Sequence, residues 1–347
     1  ITAVHYRKWE VLEEAGLAAD GYNALKAVVG VKRIRRIHDA PLPAGIPPAA
    51  EAERPPAPED DPRAMGAAIT HVRHESFFLA KWLDHYGAIF GRENLHVVID
   101  GDDWTPDVDL TGVSVEVITG APRQRTLNDK FMATEMSLRA NRLRARYRYV
   151  LRTDADEYVV VDPATGLDWP GALARMDADG YAFALGVDIV QGAAEAGPVD
   201  RTAPILGQRT QGFVSHAYSK PFAISRWGKW SGGAHRLIGR KVRMDPTFVL
   251  FHLALADEGI VAERHAARGG DGQHVSFVRH AATRSDGIGD AALAAALPFE
   301  AARDIALAEF QVEEDGTPAL CARPAHHGDA TERGLPVRVP DRFHGLV

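Results

Sequence analysis

Residues 147–161 read YRYVLRTDADEYVVV, and this stretch predicts both the fold class and the place of the functional site. Its start, Tyr147–Leu151, predicts a short strand, and an apolar run follows at residues 158–161. Because apolar runs lie on both sides of the acidic residues, an exposed acidic surface turn is the less favoured interpretation of them. Asp154 and Asp156 stand two positions apart in that turn. Two carboxylates at this spacing can share one hard divalent cation, Mg²⁺ or Mn²⁺.

The sequence on both sides alternates strand patterns with helix patterns. Strand patterns occur at residues 67–72, 95–99, 113–117, 147–151, 181–187, 221–224 and 248–251, and helix patterns at 78–89, 129–144 and 291–310. Strands separated by helices of this length predict an α/β fold with a mainly parallel, Rossmann-like sheet flanked by helices. Ligands of such sheets bind at the carboxyl ends of the strands, where the acidic pair lies.

The domain organisation follows from shifts in composition. Residues 1–40 predict a helical N-terminal segment, and the proline-rich stretch 41–62 is typical of an extended linker. A compact domain is predicted over 63–268. The remaining residues, 269–347, predict an irregular C-terminal extension.

Composition excludes several classes of protein. The chain has 347 residues, with 40 Lys and Arg against 47 Asp and Glu, which gives a net charge of −7 and disfavours nucleic-acid binding. Its single cysteine, Cys321, excludes an internal disulfide and is typical of a reducing compartment. No apolar run is long enough for a membrane span, so we expect a cytoplasmic protein. Basic clusters at 32–36 and 139–148 leave peripheral contact with a membrane open.

Several segments, taken together and in this order, resemble the family 2-like glycosyltransferases of the GT-A fold. The segments are Val72-Arg73-His74-Glu75, Lys81-Trp82-Leu83-Asp84-His85-Tyr86, Val98-Ile99-Asp100, Asp154-Ala155-Asp156-Glu157-Tyr158, Ser219-Lys220-Pro221, Gly232-Gly233-Ala234-His235-Arg236 and Leu250-Phe251-His252-Leu253. The resemblance covers about residues 66–265, and His74 stands where the family pattern has Asn.

The resemblance implies a GT-A-like domain with hexosyltransferase activity. Such an enzyme moves a sugar from a nucleotide-diphosphate donor to an acceptor hydroxyl, in glycan or polysaccharide synthesis, and the likeness also implies inversion. The expected cofactor is Mn²⁺ or Mg²⁺. The expected acceptor is a glycan, a lipid-linked molecule or a protein.

The resemblance also assigns candidate residues by position. Donor binding falls to Arg73, Glu75, Asp100 and Asp154, and metal binding to Asp154, Asp156 and, as a third ligand, His252. For His252 a core histidine with its nitrogens bonded to backbone is the alternative. Lys130, near the start of a predicted helix, is a further candidate for the diphosphate, with a solvated surface position as its alternative.

An inverting transferase needs a general base beside the attacking hydroxyl. Asp188, at the end of a predicted strand, is the first candidate for this catalytic role, and Asp257 is the second. His235 lies in a glycine-rich loop and is a candidate for contact with acceptor or donor, with an ordinary loop histidine as the alternative.

Two other functions are compatible with an acidic pair on an α/β sheet. A nucleotidyltransferase would normally carry a glycine-rich basic loop after its first strand, whereas this chain has Arg73-His74-Glu75 there. A non-catalytic carbohydrate-binding module is the second alternative. Such a module would not bind a metal and a nucleotide diphosphate in a mutually dependent way.

Overall fold

The computed structural model describes most of the chain from residue 61 onward. It covers residues 61–192, 195, 197–267, 296–313, 315–325 and 334–347. Residues 62–347 form one compact unit. The predicted N-terminal helices, nearly all of the linker and part of the C-terminal extension lie outside the described residues, so those predictions stand as made.

Strands and helices alternate through the first half of this unit, as the sequence patterns predict. The strands are β1 (Ala64–Val72), β2 (Leu95–Asp100), β3 (Ser114–Ile118), β4 (Tyr147–Arg152), β5 (Glu157–Val161), β6 (Tyr181–Val190), β7 (Gln211–Val214), β8 (Pro221–Ile224), β9 (Met244–Leu255) and β10 (Leu335–Arg338). The helices are α1 (Phe77–Phe90), α2 (Arg125–Leu143), α3 (Trp169–Ala174), α4 (Glu258–Ala267) and α5 (Phe299–Glu309).

The strands form one mixed sheet, and the α/β class is confirmed. Its main path runs β10-β7-β6-β8-β4-β1-β2-β3. Strands β4, β1, β2 and β3 are parallel to one another, while β8 joins β4 in the antiparallel sense. The parallel part therefore brings the ends of β1, β2 and β4 to one edge, and this edge carries the acidic pair.

Helix α1 covers one face of the parallel strands because its apolar positions recur every four residues. Phe78, Trp82 and Tyr86 are all fully buried. The helix ends at Gly91, whose φ of 84° places it in the left-handed region that glycine adopts without strain. On the other face, α2 packs through a second apolar cluster that includes Met136.

The aromatic residues of α1 also hold the acidic stretch through hydrogen bonds. Trp82 Nε1 donates to Thr153 Oγ1 at 2.8 Å, and Tyr86 Oη donates to the Glu157 carbonyl at 3.2 Å. Tyr158 Oη donates in turn to the Phe78 carbonyl at 3.0 Å. All of these groups are buried, so the segment between β4 and β5 is fixed from beneath by satisfied polar contacts.

Strand β9 lies between β5 and β6 and pairs with both. Its pairing with β5 is antiparallel and sets His252 opposite Glu157. Its pairing with β6 is parallel and sets His252 opposite Asp188. Three strands thus align one residue each in a single row across the sheet.

The described part of the C-terminal extension adds a helix and a strand to the same core. Strand β10 pairs with β7, and helix α5 buries Phe299. Phe343 is fully buried, with its ring 5.2 Å from that of Phe251 and 5.4 Å from that of Phe299. None of the helices in the described ranges is long and apolar enough to cross a membrane.

Phe343→Ala should destabilise the whole unit, because the truncation leaves a cavity between β9 and α5. The expected loss is about 3–5 kcal/mol in the free energy of unfolding, measured by urea titration. Leu346→Ala, at a side chain that is 40% exposed, should change it by less than about 0.5 kcal/mol. An unchanged midpoint for Phe343→Ala would mean that the C-terminal residues do not belong to the core.

Candidate active site

The acidic pair lies in the short connection between β4 and β5, at the carboxyl end of the parallel strand β4. The Asp154 backbone N–H donates to Glu157 Oε2 at 3.1 Å, which closes the turn on itself. The Asp154 side chain is 32% exposed and that of Asp156 only 14%. The stretch is therefore a half-buried site and not a solvated surface turn.

Two cations flank Asp154. Arg152 Nη2 lies 3.1 Å from its Oδ1, and Lys220 Nζ lies 3.5 Å from its Oδ2. Burial alone would raise the pKa of Asp154, but the charges of Arg152 and Lys220 outweigh it and hold that pKa well below its usual range. Lys220 also forms an ion pair with buried Glu157. Burial would lower the pKa of Lys220, yet the two carboxylates raise it, so the amine stays charged.

Asp156 is paired with a different cation, Arg264 of α4. Arg264 Nη2 lies 2.7 Å from Asp156 Oδ2, and its Nε lies 2.6 Å from Glu75 Oε2. Burial would raise the pKa of Asp156, but Arg264 and then His252 outweigh it and lower the pKa. Asp156 is thus ionised near neutral pH. The imidazole of His252 presents Nε2 to it at 4.0 Å.

His252 is held by the row of residues across the sheet. Its Nδ1 lies 2.6 Å from Asp188 Oδ1, and its ring stacks on Tyr218 with centroids 3.8 Å apart and planes 16° apart. Burial lowers the pKa of His252, so the ring is neutral near pH 7. A neutral imidazole with Nδ1 directed at Asp188 presents the Nε2 lone pair toward Asp156.

The two sequence candidates for the general base differ in their surroundings. Asp188 is 2% exposed and lies behind His252 as seen from Asp156. Asp257 accepts hydrogen bonds from the backbone N–H groups of Val199 and Ile260 and pairs with Arg209 at 3.2 Å. Asp257 therefore stabilises the start of α4. The sequence alone does not distinguish such a structural aspartate from a catalytic one.

The donor-side candidates separate into two groups. Arg73 donates to the Asp100 carbonyl at 2.7 Å and to both carboxylate oxygens of Asp103, at 2.9 and 2.8 Å. Asp100, at the end of β2, accepts from Asn128 Nδ2 at 3.3 Å. Glu75 lies elsewhere: its Oε1 accepts from the Phe78 N–H in the first turn of α1 at 3.2 Å, and its Oε2 faces Arg264, the cation shared with Asp156.

His235 and Lys130 lie near the turn 232–234, which packs against α2. His235 Nδ1 contacts the Ala217 carbonyl at 2.9 Å. Part of the His235 ring is exposed. Even so, desolvation by the neighbouring residues and then the charge of Lys220 lower the pKa of His235 to about 4. Lys130 is exposed on the second turn of α2.

Four residues in this cluster carry no role in the sequence-based assignment: Arg152, Tyr218, Lys220 and Arg264. Arg152 is the last residue of β4, just before the acidic turn, and it is buried there. A charged residue at the end of a predicted buried strand is a sequence signal that could have pointed to it. Lys220 lies within the quoted family segment Ser219-Lys220-Pro221, and Tyr218 directly precedes it. Arg264 lies 108 residues after Asp156, on helix α4, and no spacing pattern points to it.

The residues present fit a divalent cation in charge and in donor type. Despite burial, neighbouring cations lower the pKa of both Asp154 and Asp156, so two ionised carboxylates stand here as oxygen donors, whereas burial raises the pKa of Glu157. Asp154 Oδ1 is buried and accepts no hydrogen bond from any described residue.

The spacing of donor atoms is a second test of that fit. Two ligands about 2.1 Å from a common ion lie at most about 4.2 Å apart, and Asp156 Oδ2 and His252 Nε2 are 4.0 Å apart. Nevertheless, no group of three or more His, Cys, Asp or Glu side chains within the described ranges is already arranged as a metal site.

Comparison with known proteins leaves the family open. No family profile matches the chain, and no curated protein matches it. Among solved structures, a mannosyltransferase from Pyrobaculum calidifontis in complex with GDP-Man and Mn²⁺ aligns at 12% identity, with 65% of this chain and 76% of that chain covered and a TM-score of 0.27.

Two further structures align over shorter spans. A mannosyltransferase from S. cerevisiae covers 39% of this chain and 42% of its own at 11% identity, with a TM-score of 0.21. A core-mannan synthase from Aspergillus fumigatus, in an Mn/GDP form, covers 43% and 50% at 12% identity, with a TM-score of 0.19. This chain spans half or less of the length of these two proteins, and likenesses at this level assign it neither a family nor a substrate.

Lowering the pH from 7.5 to 5.5 should reduce the free energy of unfolding. Burial lowers the pKa of both His71 and His252 in the folded state, whereas the unfolded chain binds these protons near pH 6.5. Their contribution is therefore complete above pH 6.5 and is lost below it. Urea unfolding of the protein and of His71→Asn at three pH values should show a smaller dependence for the variant. Equal slopes would contradict a neutral imidazole at His71, which lies near the end of β1 with its Nδ1 3.9 Å from Asp154 Oδ1.

Proposed function

We propose that this chain is a metal-dependent glycosyltransferase that moves a hexose from a nucleotide-diphosphate donor to an acceptor hydroxyl, with inversion. One observation carries the proposal: Asp154 and Asp156 lie at the carboxyl end of a parallel strand, with the Nε2 of His252 4.0 Å from Asp156 Oδ2. That arrangement supplies the oxygen and nitrogen donors that Mn²⁺ accepts.

In this proposal Asp154, Asp156 and His252 hold the cation. A bound Mn²⁺ or Mg²⁺ would neutralise the charge that develops on the leaving diphosphate. Arg152 and Lys220 lie against Asp154, where their fixed charges add to the same stabilisation without moving during the reaction. Arg152 and Lys220 would thus bind the diphosphate together with the metal ion.

The nucleoside would lie at the ends of β1 and β2, where Arg73 and Asp100 are in direct contact. Glu75 acts on the donor only through Arg264, which it shares with Asp156. His235 lies near Lys220 and Asp154, and Lys130 lies beside the turn 232–234, and we propose that they contact the diphosphate or the acceptor. Acceptors of this class present a hydroxyl on a glycan, a lipid-linked molecule or a protein.

The nucleotidyltransferase alternative receives less support from the same geometry. Its phosphate loop needs small residues after the first strand so that backbone N–H groups can approach the phosphates. Here that position is occupied by His74, which adopts a φ of 50° without being glycine and lies with its ring 5.2 Å from that of Trp104. This loop is filled by side chains instead of being open to phosphate.

Asp156→Asn should abolish sugar transfer and make binding of a nucleoside diphosphate insensitive to Mn²⁺. The amide keeps the shape of the side chain but removes the charge that the ion needs. The measurement is isothermal titration calorimetry with a panel of sugar nucleotides and nucleoside diphosphates, with Mn²⁺ and with excess chelator. Asp84→Asn, on an exposed turn of α1, is the matched control and should leave binding unchanged. Equal nucleotide affinity of the unmodified protein in chelator would refute the metal role.

His252→Ala should weaken Mn²⁺ binding by about tenfold or more, because it removes the nitrogen ligand. His344→Ala, on the 30% exposed ring that faces Asp341, should leave the affinity unchanged. Both constants come from titration of Mn²⁺ alone. A crystal structure with Mn²⁺ and donor in which water replaces His252 at the ion would show that the histidine is a core residue.

A further inference from the structure

Asp188 forms a buried pair with His252, and the proposed chemistry gives a part to His252 but none to Asp188. Asp188 Oδ1 and His252 Nδ1 are 2.6 Å apart, and the two side chains are only 3% and 9% exposed. Strand pairing fixes this contact, since β6 and β9 are parallel neighbours with these two residues in register. The contact between Asp188 and His252 is therefore fixed by strand pairing inside the sheet and is not a contact between mobile surface side chains.

The pair determines which nitrogen of His252 carries the proton. A carboxylate can only accept, so the hydrogen bond to Asp188 places the proton on Nδ1 and leaves the lone pair of Nε2 directed at Asp156. Tyr218, stacked at 3.8 Å, restricts rotation of the same ring. Tautomer and orientation are both set before any ligand arrives.

We infer that Asp188 is a positioning residue, which holds His252 in the tautomer and orientation that bind the metal, and that it is not the general base. This inference rests on the proposed metal-dependent function. Metal-binding histidines almost always donate their other ring N–H to a carboxylate or carbonyl, which raises the basicity of the ligand. A base for the acceptor hydroxyl would instead need a carboxylate open to that hydroxyl, and Asp188 is covered by His252.

The test measures Mn²⁺ binding without nucleotide and without turnover. Free Mn²⁺ is titrated by its electron paramagnetic resonance signal, and nitrogen bound to the ion is detected by spin-echo modulation. The variants are Asp188→Asn, His252→Ala and the double variant. Asp162→Asn is the matched control, because Asp162 is also a buried carboxylate with a cationic partner, Arg342 at 2.7 Å, but belongs to the far end of β5.

Asp188→Asn should weaken Mn²⁺ about 10- to 100-fold and remove the nitrogen signal, because the amide can donate to Nδ1 and move the ring proton to Nε2. The double variant should bind no more weakly than His252→Ala alone, since both changes act on one ligand. Asp162→Asn should lower stability and leave the Mn²⁺ affinity unchanged.

The remaining outcomes separate the two proposals. If His252→Ala weakens Mn²⁺ and Asp188→Asn does not, the positioning role is wrong while the metal function stands. If Asp162→Asn weakens Mn²⁺ as much as Asp188→Asn does, the loss reflects stability and the positioning role is again overturned. If the unmodified protein binds no Mn²⁺, both the metal function and the role of Asp188 are overturned.

Discussion

The structure around the acidic turn depends on electrostatic compensation of buried carboxylates. Taking an ionised carboxylate out of water costs several kcal/mol unless a positive charge or hydrogen-bond donors lie against it. Asp154, Glu157 and Asp156 meet this requirement through cations that the chain brings from three different elements. Lys220 and Arg264 therefore stabilise the turn between β4 and β5 where it packs on α1.

This requirement explains why the antiparallel strands are needed. Strand β8 pairs with β4, and Lys220 stands immediately before it, so the pairing carries the ammonium group to the acidic turn. Strand β9 crosses behind the turn and continues into α4, the helix that carries Arg264. The parallel strand β4 leads into the acidic pair and itself supplies Arg152, while the antiparallel strands β8 and β9 bring Lys220 and Arg264 to the same turn.

The sequence predicted the part of this arrangement that is local. The periodicity of Phe78, Trp82 and Tyr86 and the apolar strand before Asp154 predicted the α/β class and the position of the site. The joining of β10 to β7 was not predictable, because a four-residue strand pairs with one about 120 residues earlier through backbone hydrogen bonds that any sequence can make. The contact of Arg264 with Asp156, and the position of Asp188 behind His252, depend on strand register, which no motif encodes.

The ion pair between Asp162 and Arg342 sets a condition on how a newly made chain folds. The two residues are 180 positions apart, and Asp162 is 1% exposed once the pair has formed. At about 5–20 residues per second, a ribosome needs roughly 10–40 s to reach Arg342 after adding Asp162. During that interval the end of β5 has a carboxylate without its guanidinium, so the nascent chain must wait with this part of its core open, within reach of chaperones and proteases.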